Sequence, residues 1–294
     1  MIFFDGKKFA QKREADLKMQ VDTLLQKGIS PKVESIFFTE DSGSELYTNL
    51  KKEAAERVGI VYEPHGFSLH DPTEKVIEIL KMMNQDPTVT GVMIQKPAKK
   101  RWQEIIDNLD FSTWWQALVA DIAEEKDVDG LHPNTLLAIE QGTWQAQRKV
   151  LPATARAVLE ILEFSELQMS YSLAEKKITI IGRSDIFGKP LFYELRRQGK
   201  TVEMLGRKDF EERKASGQFL LDTDVLVSAV GQEKIVTGEM IKDGVVVIDV
   251  GEPKGDLELR TATHRASFVT PVPGGVGPVT VVSLMENAVQ LVPA

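Results

Sequence analysis

The chain has 294 residues, 42% of them apolar and 27% charged, with a formal net charge of -8 at pH 7. That acidic balance disfavours general nucleic-acid binding, which needs a basic face toward the phosphates, while leaving room for a local basic pocket. There is no cysteine, so disulfides, thiolate metal sites and cysteine nucleophiles are excluded. The length favours two domains. No apolar run approaches the ~18 residues of a membrane span, and the first residues lack the apolar core of a signal peptide, so a cytoplasmic protein is expected. The four histidines are scattered without metal-ligand spacing such as HExxH, and no metal is expected.

Residues 7–27 carry helical periodicity, with Phe9, Val21, Leu24 and Leu25 among charged residues. KVESIFF (32–38) reads as a strand, SELYTNLKKEAAERVG (44–59) as a helix stopping at Gly59, and IVYEPHGF as a second extended piece. PTEKVIEILKMMNQ (72–85) is a helix and TGVMIQ (90–95) a short buried strand. Residues 98–125 read as one or two helices whose aromatics, Trp102, Phe111, Trp114 and Trp115, are core or part of a lid, with core preferred. The turn-like KDVDGLHPN (126–134) follows. A new pattern starts after Gly142: a helix at 153–165, a strand at 176–182, a helix at 187–199, then strands at 201–205, 224–231, 245–251 and 266–270. Continuous apolar strands separated by helices predict a parallel sheet covered on both faces, an α/β fold. Residues 271–280, PVPGGVGPVT, hold three prolines and three glycines, more than a plain turn needs.

The strand KKITIIG leads into RSDIFGKP, so Gly182 and Gly188 bracket a strand-to-helix turn. In a dinucleotide fold this turn presents backbone N–H groups and a helix N-terminus to a pyrophosphate. Ser184 stands where the middle glycine of GxGxxG would be, so by pattern alone a plain turn is an equal reading. The next strand ends in Gly206-Arg207-Lys208. NAD sites place Asp or Glu there for the ribose 2′-hydroxyl; positive charges suit a 2′-phosphate and favour NADP. Arg183 forms the other side of that clamp, against the bland reading of a solvated basic turn.

Tyr47 and Lys51 lie four apart on one helix and share a face. Lys51 by itself reads as a solvated helix lysine. Gln95 ends an apolar strand beside Pro97, and Asp129 sits in a tight turn where aspartate commonly caps backbone. Together, however, SELYTNLK, GVMIQKP, KDVDGLHP, IIGRSDIFGKP and PVPGGVGP occur in one order. In these motifs, from the DGKK at residues 5–8 to the final helix, the chain resembles the bifunctional methylenetetrahydrofolate dehydrogenase/methenyltetrahydrofolate cyclohydrolase family.

The resemblance implies an α/β fold of two domains. Residues 1–146 plus 276–294 would form a folate-binding catalytic domain and residues 147–275 a Rossmann-type parallel-sheet domain for NADP, with a cleft between them and a C-terminal helix returning to the first. It implies oxidation of methylenetetrahydrofolate with NADP and hydrolysis of the product to formyltetrahydrofolate. Lys51 would be the central catalytic residue, Tyr47 would stack on the folate, Gln95 would lie against Lys51, and Asp129 would hold the pterin edge. Ser44, Pro273, Gly274 and Gly275 would complete the substrate set. Gly182, Arg183, Ser184, Gly188, Arg207, Gly231 and Thr280 would form the cofactor set. A homodimer is implied, with no nucleic-acid or membrane partner. The chain departs from the family at Gln95-Lys96-Pro97-Ala98-Lys99, where leucines are usual, and at Glu252-Pro253, Gly206-Arg207 and Ala153-Thr154-Ala155-Arg156-Ala157. A chain with one of the two activities, a shikimate-dehydrogenase-type NADP oxidoreductase and a non-catalytic NADP-binding regulatory protein are the competing readings.

Overall fold

The computed structural model describes residues 1–107 and 109–293. In chain order the elements are β1 (Ile2–Phe3), α1 (Gly6–Gln26), β2 (Lys32–Phe38), α2 (Ser42–Val58), β3 (Val61–Phe67), α3 (Thr73–Gln85), β4 (Gly91–Ile94), α4 (Lys99–Gln103), α5 (Phe111–Ala120) and α6 (Pro133–Glu140). They continue with α7 (Ala153–Met169), β5 (Lys177–Ile181), α8 (Gly188–Arg197), β6 (Thr201–Leu205), α9 (Arg207–Ala215), β7 (Val225–Ser228), β8 (Val246–Asp249), α10 (Leu259–Ala262), β9 (Phe268–Val269) and α11 (Val276–Gln290). The chain divides into two compact units, one of Lys12–Pro152 with Val281–Ala294, the other of Met1–Gln11 with Ala153–Thr280.

The unit that holds Lys51 is built on a three-stranded parallel sheet in the order β3-β2-β4. Period-two alternation gives the sheet two unlike faces. Ile36, Phe38, Val92 and Ile94 join the apolar cluster with Leu80 of α3 and Leu118 of α5. Ser35 lies beside Met93 in register, and Val33 beside Tyr62; these alternate residues form the opposite face. The tryptophan-bearing segment is core: Trp102 is 1% exposed, and its ring lies 5.2 Å from that of Phe111. Lys96, where the family has leucine, holds its ammonium 5.1 Å from the Trp115 ring centroid and 5.4 Å from that of Phe111. A cation over aromatic faces keeps favourable contact where an aliphatic side chain would pack.

The other unit is a six-stranded parallel sheet in the order β1-β9-β8-β7-β5-β6. Its central strands are buried apart from Lys177 at the start of β5, as the continuous apolar runs predict. The first residues belong to this sheet, with Ile2 paired to Phe268 and Phe3 to Val269. Phe4 and Phe9 then pack with Phe164 and Phe268 in one aromatic cluster.

Several elements differ from the sequence reading, among them α6, α9 and the start of α11. Residues 207–215 form helix α9, although RKDFEERKA has a single buried apolar residue, Phe210, so no periodicity could announce it. Residues 133–140 form α6, with Pro133 in its first turn and the His132 ring accepting from Asn134 N at 3.1 Å. Helix α11 begins at Val276, inside the glycine- and proline-rich stretch, and Pro278 is tolerated because first-turn N–H groups have no helical acceptor.

The remaining loop, 271–275, is poor in side chains for a steric reason within its own unit. Gly6 N donates to Gly274 O at 3.1 Å. A Cβ on Gly6 would lie 1.9 Å from Gly275 O, and one on Gly275 would lie 2.5 Å from Pro271 O. Gly274 has φ 100°, which suits glycine. At Gly6 and Gly275 backbone meets backbone with no space for a side chain.

Candidate active site

Helix α2 ends at Gly59, whose left-handed φ of 86° lets its N–H reach the carbonyls of Ala55 and Glu56. Ser44, Thr48, Lys51, Ala55 and Val58 recur at three- and four-residue spacing and form its buried face. Lys51 is therefore no solvated lysine; it is only 8% exposed. Its ammonium donates to Gln95 Oε1 at 2.6 Å and lies 3.8 Å from Met93 Sδ. Tyr47, one turn earlier, is half-buried. Ser44 Oγ donates to Asp41 Oδ2 at 2.6 Å, and the same carboxylate oxygen accepts from Ala98 N at 3.1 Å. Asp41 thus ties the start of α2 to the chain that leaves β4.

Gln95 follows β4 and keeps its geometry for one more residue, with Gln95 N donating to Ile36 O at 2.7 Å. Met93 and Gln95, two apart, share the sheet face toward Lys51. Tyr62 of β3 reaches the same place, its hydroxyl 3.8 Å from Met93 Sδ. Burial pushes the Tyr62 hydroxyl well above the usual phenol range; the nearby Ser35 hydroxyl opposes this, and the charge of Asp129 adds to it. Tyr62 stays a neutral donor. The sequence-predicted Lys51 and Gln95 are thus brought together beside Met93 and Tyr62, two residues that the sequence reading left as strand, and Asp129 lies near enough for its charge to act on Tyr62.

Asp129 owes its place to its neighbours. Asp127 is fully buried and accepts from Leu131 N at 3.0 Å, His132 N at 2.9 Å and Thr135 Oγ1 at 3.0 Å. Burial raises its carboxyl pKa against the pull of those donors. Gly91 allows the turn to press on β4, since a Cβ there would lie 2.9 Å from Val128 Cβ. Gly130 has φ 66°, and its missing Cβ would lie 2.8 Å from Pro152 N. Asn287, on the part of α11 that belongs to this unit, donates through Nδ2 to Val128 O at 3.0 Å and Leu151 O at 2.9 Å. The signal for Asn287 was an amide within the apolar-rich stretch LMENAVQL. Asn287→Ala leaves two buried carbonyls without that donor and should destabilise the chain by about 1–3 kcal/mol. Urea unfolding of the whole chain measures this, and an unchanged midpoint would refute the locking role.

Around the glycine turn of the other unit, Gly182 has φ 128°, and its N–H donates to Leu205 O at 2.9 Å. A Cβ on Gly188 would lie 1.9 Å from Gly182 O, so the turn closes backbone on backbone. Helix α8 starts at Gly188, and Ser184 O accepts from Lys189 N at 3.0 Å. This arrangement fits a dinucleotide pyrophosphate, which needs close backbone approach and a helix N-terminus. Arg183 and Ser184 are exposed beside it, and Arg207, also exposed, is the first residue of α9. Gly231 follows β7 with φ 69°. Thr280 is half-buried in α11 and belongs to this unit with Pro273, Gly274 and Gly275.

A further group, Glu34, Glu63 and His65, places ligand-type atoms within 4.8 Å of one another. The Lys32 ammonium already lies 2.7 Å from Glu34 and 2.8 Å from Glu63, so a cation is supplied by the chain itself.

The catalytic-domain model of the tetrahydrofolate dehydrogenase/cyclohydrolase family matches residues 4–129, and the family's NAD(P)-binding-domain model matches residues 152–294. The chain belongs to this family. The chain is 37% identical to the bifunctional protein FolD of Lactobacillus helveticus over 293 residues, covering 98% of this chain and 96% of that relative. Among solved structures it is similar to the bifunctional FolD methylenetetrahydrofolate dehydrogenase/cyclohydrolase of Campylobacter jejuni, with TM-score 0.85 and 28% identity over 99% of this chain and 98% of that one. The Trypanosoma brucei methylenetetrahydrofolate dehydrogenase-cyclohydrolase, solved with NADP and an inhibitor, gives TM-score 0.85 and 29% identity over 99% and 96%. Within the family frame, Lys51, Gln95 and Asp129 fall in the catalytic domain and the Gly182–Gly188 turn in the NAD(P)-binding domain.

Proposed function

We propose that the chain oxidises methylenetetrahydrofolate to methenyltetrahydrofolate with NADP and hydrolyses that product to formyltetrahydrofolate. The observation that carries the reading is the buried Lys51 ammonium bonded to the neutral amide of Gln95 at 2.6 Å, in a chain of this family. A carboxylate at position 95 would hold the ammonium in its charged form; an amide does not.

NADP, when bound, supplies the acceptor for the hydride that leaves the bridging methylene carbon. The product is a cation, so this step needs position more than a strong base. The residues assigned to position are Tyr47, stacked on the folate, and Asp129, accepting from the pterin's amino and ring N–H groups. In the hydrolytic step water adds to the methenyl carbon and loses a proton, and the ring then opens as one carbon–nitrogen bond breaks, that nitrogen is protonated and the new hydroxyl releases its remaining proton to solvent to become the formyl carbonyl. Lys51 is assigned both transfers, as base toward the water and as donor toward the leaving nitrogen, with Gln95 holding its nitrogen in place. Arg183 and Arg207 are assigned to the 2′-phosphate, Gly182, Ser184 and Gly188 to the pyrophosphate, and Gly231 and Thr280 to the rest of the cofactor. Ser44 and Pro273, Gly274 and Gly275 are assigned to the folate. A cytoplasmic homodimer is carried over from the family resemblance.

The test is turnover of methylenetetrahydrofolate with NADP and NAD in parallel, following reduced-cofactor absorbance and methenyl-folate absorbance separately. Reduction of NADP followed by decay of the methenyl band is expected. Tight binding of folate and cofactor with neither signal would refute the reading.

A further inference from the structure

We infer that Asp209 sets the cofactor preference of the dinucleotide turn by competing with a 2′-phosphate for Arg183. The inference rests on the cofactor reading above and goes beyond it. In this fold the adenosine ribose lies at the carboxyl end of the second strand of the nucleotide half, here β6. The Arg183 guanidinium lies across that end, Nη2 donating to Met204 O at 3.1 Å and pairing with Asp209 Oδ2 at 2.8 Å. Asp209 is itself fixed: it sits in the first turn of α9, and its Oδ2 accepts from Gly206 N at 2.6 Å. Gly206 lets the pair close, because a Cβ there would lie 3.1 Å from Asp209 Oδ2 and 3.3 Å from Arg183 Nη1.

Two consequences follow for a ligand at this place. A 2′-phosphate approaching Arg183 meets a cation already half-neutralised by a carboxylate, and suffers that carboxylate's repulsion. A 2′-hydroxyl finds in the same carboxylate an acceptor of the kind that NAD-binding folds place at this strand end. Asp209 therefore narrows the advantage that Arg183 confers on NADP. The Arg183 and Asp209 side chains are 50% and 38% exposed, so solvent screens the effect and its size is moderate.

The experiment measures binding of adenosine 2′,5′-bisphosphate and of AMP by calorimetry at low and high salt, for the natural chain, Asp209→Asn and Arg183→Gln. Asn keeps an oxygen for Gly206 N while removing the charge. Asp209→Asn should tighten the bisphosphate about five- to tenfold at low salt, less at high salt, and leave AMP unchanged or weaker. Arg183→Gln should remove most of the difference between the two ligands. An unchanged bisphosphate-to-AMP ratio in Asp209→Asn, or equal loss of both ligands with a lower melting temperature, would leave Asp209 as a cap of α9 and overturn the inference. A natural chain that binds neither ligand would instead remove the cofactor reading, and this inference with it.

Discussion

Lys51→Met should abolish hydrolysis of methenyltetrahydrofolate while the chain stays folded. Methionine matches the length and apolar stem of lysine and enters a place already lined by Met93, so stability should change by less than about 1.5 kcal/mol. What is lost is the group assigned to the proton transfers, a contribution of about 10²–10⁴ in rate. Decay of the methenyl absorbance measures hydrolysis, and a thermal melt of the same sample controls for folding. Hydride removal needs no base at that instant, so the dehydrogenase signal should suffer less than the hydrolytic one. Full hydrolysis by a folded Lys51→Met chain would show that another group moves the proton.

Gly188→Ala should act on the other unit. The added carbon would lie 1.9 Å from Gly182 O, inside any tolerable contact, and both partners are backbone. The strand-to-helix turn must open, at a cost of about 1–3 kcal/mol for the overpacking. The first N–H groups of α8 then move away from the phosphates they are assigned to hold. Binding of NADPH, followed by its fluorescence, should weaken by more than about tenfold, since even a 1.4 kcal/mol loss is that large. The melting temperature should fall as well. An alanine variant with unaltered melting and unaltered NADPH binding would mean that the turn is not the phosphate cradle.

These two positions show what kinds of feature can be read without coordinates. The Gly182–Gly188 spacing reports a steric demand between residues close in sequence, so the motif itself carries the information. Lys51 is different. Nothing local distinguishes it from Lys52, its exposed neighbour on α2. Its burial follows from which face of the helix lies on the sheet, and its partner Gln95 is 44 residues away. Only the resemblance to a family named that pair from the sequence. Tyr62 and Met93 were legible as strand residues, but their convergence on Lys51 required the register of β2 with β3 and β4. Helix α9 was missed because its one buried apolar residue left no period to detect. Asp209 went unread with it, since its partner, Arg183, lies 26 positions earlier.

The sequence by itself determined the α/β class, most of the element boundaries, the absence of thiol chemistry and, through its ordered motifs, the family. Those properties depend on composition, short-range periodicity and local sterics, all of which act within a few residues along the chain. Tertiary structure alone decided that the first strand joins the six-stranded sheet, that Asn287 holds the turn bearing Asp129, and that Asp209 shares Arg183. Each of these is a meeting of groups far apart in sequence. Such meetings depend on which surfaces are buried together and which buried polar atoms find partners, and no local pattern encodes that.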